Sequence, residues 1–150
     1  MSIERSLGIS ASALTAERLR MDVIANNIAN AQTTGPKGPY KRQTVVFQAA
    51  QPSGPFQAVL GSEMRASQAA PVVGAGVRVV KVVEDNSPGQ RVYEPGNPDA
   101  DADGYVTYPN VNITSEMVDL MTATKAYQAN VTVINATKNM ALKAISIGSK

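Results

Sequence analysis

Apolar residues recur every seven positions through the last quarter of the chain. One series is Ile113, Leu120, Tyr127, Ile134 and Ala141, and a second series, offset by four, is Met117, Thr124, Val131, Lys138 and Ile145. Alternating steps of four and three place both series on one side of an α-helix. Gly148 follows the last periodic residue, where a helix end favours glycine. We therefore predict one helix from Ile113 to Ile147, roughly 50 Å long, whose apolar side requires a partner.

The first 31 residues carry the same repeat. Leu7, Leu14, Met21 and Ile28 are spaced seven apart, and Ile3, Ile24 and Ala31 fall on the same side. This pattern predicts a second long helix that pairs with the first as a coiled coil. One interpretation is a helical hairpin that buries both apolar sides within one subunit. The small residues that flank the repeat leave little apolar mass for a single pair to bury, which favours further subunits. They are Ala11, Ala13, Ala16, Ala25 and Ala29.

Two groups of residues bear on contacts between subunits. Thr124 and Lys138 interrupt the apolar side of the last helix, and we expect them to mark where the pair faces other subunits. Asn26, Asn27 and Asn30 lie near the end of the first helix. They are compatible with a fraying helix end, because Asn tolerates a left-handed backbone. They are equally compatible with amide hydrogen bonds to a second subunit.

The sequence pattern of the middle of the chain predicts a small antiparallel β module. Two Gly and two Pro among residues 35–39 end the first helix. Strand-like stretches follow at Tyr40–Phe47, Val77–Val83, Arg91–Glu94 and Gly104–Tyr108, with a weaker one at Phe56–Leu60 inside a long loop at about 48–75. Asn112 is a plausible N-cap for the last helix. The predicted fold is α+β: a terminal coiled-coil domain from residues 1–34 and 112–150, with a β module at 35–111 between the helices.

Composition excludes several classes of function. The chain lacks Cys and His, which removes disulfides, thiolate zinc sites and nucleophile–base pairs built on these residues. Its 14 basic and 12 acidic residues form no basic run, so the charge pattern does not indicate nucleic-acid binding. No apolar stretch is long enough for a membrane span, and the N-terminus lacks the pattern of a cleaved signal peptide. We expect neither a span nor such a signal.

One acidic turn resembles part of a metal site. Asp99, Asp101, Asp103 and Gly104 match the first half of an EF-hand loop, but Asn110 stands where calcium requires a bidentate carboxylate. A solvated turn is the favoured interpretation, and a calcium-dependent binding module with helical oligomerisation arms is the alternative. Other carboxylates lie in turns with no sign of burial. We therefore predict no catalytic residue, no cofactor and no metal site.

The stretch Met21–Thr34 (MDVIANNIANAQTT) resembles the N-terminal signature of the bacterial flagellar rod, hook and hook-associated proteins. That family carries an Ala-Asn-Asn-(Leu/Ile)-Ala-Asn core on its first helix. Further stretches, in the family's order, are similar to its proximal-rod members. They are Gly38–Arg42, Gly76–Val79, Tyr93–Asp101, Gly104–Val106, Pro109–Asn112, Glu116–Leu120 and Ala126–Thr132. Another axial protein of the same family is the alternative reading.

The resemblance implies a structural protein, not an enzyme, located in the basal body within the cell envelope. It implies self-association in a helical assembly, contacts with the rod proteins FlgB, FlgF and FlgG and with FliE, and passage through the flagellar type III export apparatus without a cleaved signal. The subunit would stay partly disordered until it polymerises. The residues predicted to form the subunit interface are Leu7, Leu14, Met21, Ile24, Asn26, Asn27, Ile28, Asn30, Met117, Leu120, Tyr127, Asn130, Val131 and Ile134.

Overall fold

The computed structural model describes residues 3–35, 38–50 and 76–148. Two long helices flank four short strands. They are α1 (Ile3–Ala29), β1 (Gln43–Ala49), β2 (Val77–Glu84), β3 (Arg91–Tyr93), β4 (Tyr105–Thr107) and α2 (Ile113–Gly148). The predicted α+β class and both helices are confirmed. The weak strand at Phe56–Leu60 and most of the predicted loop lie outside the described residues.

The two helices pack against each other in opposite directions. Asn27, near the end of α1, contacts Glu116 in the first turn of α2, and Met21 contacts Thr124 one to two turns further along. Asn112 caps α2, because its side-chain oxygen accepts a hydrogen bond of 3.1 Å from the Ser115 amide. The chain thus enters α2 beside the point where it left α1.

The most buried line on α2 differs from the predicted one. Its members are Glu116, Ala123 and Thr137, a third series with the same seven-residue spacing. The first predicted series is half-buried over its middle members. The second is exposed toward both ends, with Met117 55% and Ile145 69% exposed. Small side chains at 123 and 137 allow α1 to approach α2 closely, so the contact centres on them instead of on the bulkier apolar residues.

The four strands form two separate antiparallel pairs, β1 with β2 and β3 with β4. Strand β1 begins at Gln43, three residues later than predicted, because Tyr40 and Arg42 direct their side chains into contacts with the helices. The β1–β2 hairpin lies along α1. Its attachment begins at Ser12 of α1, whose hydroxyl accepts a 3.1 Å hydrogen bond from the Val77 amide.

Glycine is required at the start of β2. Gly76 has a φ of +88°, and a Cβ atom there would overlap the Ser12 hydroxyl. Both its backbone conformation and its distance from α1 therefore exclude a side chain. Among the described residues, neither long helix is apolar enough to cross a membrane.

Candidate assembly surface and a buried polar cluster

Three polar side chains meet where α1, β1 and α2 converge. We call Asn27, Arg42 and Glu116 the buried polar cluster. Glu116 is 1% exposed, and one of its carboxylate oxygens accepts hydrogen bonds from Arg42 Nε at 2.7 Å and Nη2 at 2.6 Å. Its other oxygen accepts from Asn27 Nδ2 at 3.1 Å. The buried charge is therefore paired and both of its oxygens are hydrogen-bonded, as a stable buried carboxylate requires.

Asn27 joins this carboxylate to the first residue of β1. Its side-chain amide donates to the Gln43 carbonyl at 2.8 Å and accepts from the Gln43 amide at 2.9 Å. A side-chain amide can thus pair with a strand in the way that a neighbouring backbone would. The Tyr40 hydroxyl donates to the same Asn27 oxygen at 2.9 Å. One side chain of α1 therefore fixes the position of the β1–β2 hairpin.

Tyr40 is the outermost member of this network. Its pKa is raised above the ordinary value of 10.0 by burial first, and then by the negative charges of Glu116 and Glu84. Asn26 donates to the Tyr40 hydroxyl at 3.3 Å, and Asn30 donates back to Asn26 at 2.9 Å. The asparagines of α1 are therefore linked to one another and to the strand within one subunit.

Large apolar side chains are exposed along much of α2. We define the outer apolar surface by those that follow its first turn, which are Met117, Val118, Met121, Val133, Met140, Leu142, Ile145 and Ile147. Met121 is 57% and Ile147 is 77% exposed. So many large apolar side chains along one helix mark a surface for protein contacts.

The end of α2 extends past the start of α1. The helices run in opposite directions, with Asn27 beside Glu116 and Met21 beside Thr124. Residue-for-residue counting therefore places Ile3 opposite about residue 141. The remaining residues of α2, 142–148, form what we call the C-terminal overhang. Its apolar members have no described part of α1 beside them.

The predicted interface residues fall into three environments. Ile24 and Asn27 are buried inside the subunit, so contacts with another subunit would have to come from the rest of the set. Asn26 and Met117 are exposed. The others are half-buried along the contact between the helices, and they are Leu7, Leu14, Met21, Ile28, Asn30, Leu120, Tyr127, Asn130, Val131 and Ile134.

Sequence reasoning missed the role of two charged residues. Glu116 lies in the first turn of a helix and Arg42 just before a strand, and neither position in the sequence indicates burial. The available signal was spacing, because Glu116 lies seven residues before Ala123 and twenty-one before Thr137. A charged residue in register with small ones on a long helix suggests a buried site with a partner.

The acidic turn has its own partners. Asp99 accepts a hydrogen bond from the Thr34 hydroxyl at 2.7 Å, and Asp101 pairs with Arg91 at 2.8 Å. Within the part of the chain that the structure describes, no three metal-ligating side chains converge. The turn thus connects the end of α1 to the β3–β4 hairpin. The structure contains no observation that favours calcium there.

Comparison with known proteins identifies the family. The family model for flagella basal body rod protein matches residues 7–37, and the model for the flagellar basal body rod FlgEFG protein C-terminal region matches residues 102–147. Flagellar basal-body rod protein FlgC of Bacillus subtilis is 48% identical, and that of Escherichia coli O157:H7 is 44% identical, each over 99% of both chains. The chain belongs to the FlgC family of flagellar basal-body rod proteins.

A third relative, FlgC of Borreliella burgdorferi, is 41% identical over 98% of both chains. The two matched regions contain most of α1 and most of α2, respectively. Asn27 lies in the first region and Glu116 in the second, while Arg42 lies between them. The buried polar cluster therefore joins the two regions that define the wider family to the segment that separates them.

Proposed function

We propose that this structural subunit of the flagellar basal-body rod polymerises through its terminal helices in the proximal part of the rod, and that it is not an enzyme. Its contribution to motility is mechanical, as one element of a rigid axial shaft. Membership of the FlgC family supports the location in the basal body. The helix pair supports the mode of assembly, because it forms the longest continuous surface that the described residues offer.

The outer apolar surface is the observation that carries this proposal. A subunit that worked alone would hold eight large apolar side chains of α2 in water at a free-energy cost, because each gains about 1.5–3 kcal/mol when it is fully buried. A polymer removes that cost by covering the surface with neighbouring subunits. The helix pair can be slender for the same reason, because neighbouring subunits would supply the apolar contacts that it lacks.

The neighbours we propose are further copies of this chain, the rod proteins FlgB, FlgF and FlgG, and FliE. The accessible charges of α2 suit stacking in one direction, because the partly exposed Asp119 lies near its start whereas Lys138 and Lys143 lie in its second half. Two subunits stacked end to end in the same direction bring unlike charges together, and the opposite arrangement brings lysines together. We further propose that the chain reaches the cell envelope through the type III export apparatus.

A charge introduced on the outer apolar surface tests this function. Met121→Asp alters an exposed side chain, so the isolated subunit keeps its fold, but the unpaired charge becomes buried once neighbours pack there. We expect loss of swimming and of completed rods in a strain that carries only this variant. Electron microscopy of isolated basal bodies provides the measurement.

The matched control is Gln90→Asp, the same new side chain at an exposed polar position outside the helices. It should leave motility close to that of the parent strain. Normal rods and swimming in the Met121→Asp strain would contradict assembly through this surface. Equal loss in both strains would also contradict it, since any added surface charge would then suffice.

A further inference from the structure

The apolar repeat does not by itself fix how α1 and α2 are aligned. In the observed alignment Met21 lies against Thr124, with 3.6 Å between the sulfur and the hydroxyl oxygen. Seven-residue steps then place Leu14 opposite Val131. A slip of seven residues, about 10 Å along the helix, moves every position onto the next member of the same series. The repeat is therefore preserved by the slip.

The slipped alignment is no less apolar than the observed one. In the observed alignment Leu7 lies opposite Lys138, and in the slip it would lie opposite Ile145. Leu14 lies opposite Val131 in the observed alignment and would lie opposite Lys138 in the slip. Each alignment thus sets one leucine against the lysine and the other against a β-branched apolar residue. The tightly packed series that contains Ala123 and Thr137 continues with Ala144, so small side chains remain available after the slip.

Apolar burial alone does not exclude the slip. The slip would draw the C-terminal overhang alongside the first turns of α1 and cover Ile145, which is exposed in the observed alignment, while the half-buried Leu120 would pass beyond the end of α1. Each buried methylene gains about 0.8 kcal/mol of transfer free energy. Apolar contact therefore does not decide between the two alignments, and some other interaction must hold the helices in the observed one.

The buried polar cluster is that interaction. Glu116 is the charged member of a series whose later residues are Ala123, Asn130, Thr137 and Ala144. A slip of seven residues would carry Glu116 past the end of α1, about 10 Å from its present partners. Its bonds to Asn27 and Arg42 would all be lost. A polar residue within a coiled-coil contact can select one alignment in this way at a cost in stability.

We propose that Glu116, held by Arg42 and Asn27, is the residue that determines the alignment of α1 with α2 and so keeps the C-terminal overhang exposed. The cluster lies at one end of the helix pair and acts on the other end through the rigid helix between them. This role concerns the interior of the subunit. It stands apart from the question of which neighbours cover the outer apolar surface.

Engineered cysteine pairs can report the alignment directly, because the chain has no natural Cys. The pair Met21→Cys with Thr124→Cys reports the observed alignment, and Met21→Cys with Val131→Cys reports the slip. A disulfide requires Cα atoms within about 7 Å, so each pair bridges in only one alignment. Oxidation of the dilute full-length chain, followed by non-reducing electrophoresis, measures the bridge within one subunit.

The test compares two variants of the cluster. Glu116→Leu with Arg42→Met removes the ion pair and keeps the hydrogen bonds of Asn27 to Gln43, whereas Glu116→Gln is the matched control that keeps an oxygen acceptor. We expect bridging of the slip-reporting pair to rise at least about tenfold in the apolar double variant and to stay at the parent level in the control. In the same double variant, alkylation of a thiol introduced by Ile145→Cys should slow, because the slip covers that position.

Two results would overturn the proposal. One is an unchanged ratio of the two bridges in the double variant, which would mean that the apolar contact itself selects the alignment. The other is failure of both pairs to bridge in the parent chain, which would mean that the cluster does not align the helices before assembly. Loss of motility with the expected change in bridging would leave the proposal intact, since it concerns alignment within the subunit.

Discussion

The two ends of the helix pair are built in opposite ways. At one end, Asn27 and Glu116 are almost fully buried and joined by hydrogen bonds to a strand. At the other end, Leu142, Ile145 and Ile147 are exposed, with no described residue of α1 opposite them. The buried residues at the first end are polar and the exposed residues at the second end are apolar, which is the reverse of the usual distribution in a soluble protein. The contrast indicates that the polar end defines the geometry of the subunit, whereas the apolar end is available to neighbours.

Glu116→Ala should cause the largest loss of stability among these substitutions. A small loss would contradict the contrast between the two ends of the helix pair. The change leaves Arg42, whose side chain is mostly covered, without its buried partner. We expect the free energy of unfolding to fall by about 3 kcal/mol, the lower end for a broken buried pair, as measured by urea denaturation. Asp119→Ala removes a 3.7 Å pair with Arg20 at a more exposed position. It should cost no more than about 1 kcal/mol, and equal losses would contradict the prediction.

Gly76→Ala should produce the next largest effect, because it disturbs the attachment of the β1–β2 hairpin to α1. The added methyl group would be strained at a φ of +88° and would overlap the Ser12 hydroxyl. A loss of about 2 kcal/mol is expected in the same measurement. Gly96→Ala, where a methyl group meets open space, is the control. Ser12→Ala alone removes the hydrogen bond from the Val77 amide, so it is the reference for the double variant. Relative to Ser12→Ala, the Gly76→Ala change should retain only the backbone part of its cost; an undiminished loss would place the whole cost in the backbone conformation.

Alkaline pH should weaken the polar end through Tyr40 and the β3–β4 hairpin through Tyr108. The pKa of Tyr108 is raised above 10.0 mainly because its hydroxyl donates to the Glu94 carboxylate, and that of Tyr40 mainly by burial. The neutral phenol is thus favoured in the folded chain. Stability from both groups is fully present below pH 10.0 and is lost as pH rises through the higher folded-state pKa values.

Tyrosinate absorbance during an alkaline titration checks this prediction. Two phenols should ionise above the ordinary value, and Tyr40→Phe or Tyr108→Phe should each remove one of them. A titration curve that neither substitution changes would contradict the assignment. Because Tyr40 also donates to Asn27, only its replacement should affect the polar end of the helix pair.

The smallest effect on stability is expected at the apolar end. Ile145→Ser alters a side chain that is already mostly exposed, so the free energy of unfolding of the isolated subunit should change by less than about 0.5 kcal/mol. Rod assembly should nevertheless decline, because the substitution removes apolar area from the outer apolar surface. A stability loss comparable to that of Glu116→Ala would show that the overhang is already packed within the subunit.

The parts of this fold that follow a simple period were predictable. Seven-residue spacing located both helices to within about two residues, because apolar side chains on a long helix must share one side. The strands were found by composition, but their division into two sheets was not, since strand pairing depends on which residues meet after the chain has folded. Gln43 illustrates this point, because it is registered with Glu84 of β2 while its backbone amide and carbonyl bond the Asn27 side chain of α1.

The polar cluster was beyond prediction from pattern alone. Its members are distant in sequence, and each has an ordinary local explanation: Asn27 near a helix end, Arg42 before a strand and Glu116 in a first helical turn. Burial of a charge becomes visible only when the three positions are known to converge. The set of interface residues remains a prediction. Burial of Ile24 and Asn27 inside the subunit removes them from that set, and the exposed residues of the C-terminal overhang are added to it.

The separation in sequence between Asn27 and Glu116 has a consequence for how the subunit folds. These two side chains are 89 positions apart, and closing so long a loop carries an entropic cost before any contact between the helices compensates for it. A chain emerging from a ribosome or a narrow conduit with its N-terminus first holds α1 without a partner until α2 has followed. Folding of the helix pair therefore cannot begin until α2 has been made, so α1 stays unpaired while the whole of the intervening β module is synthesised.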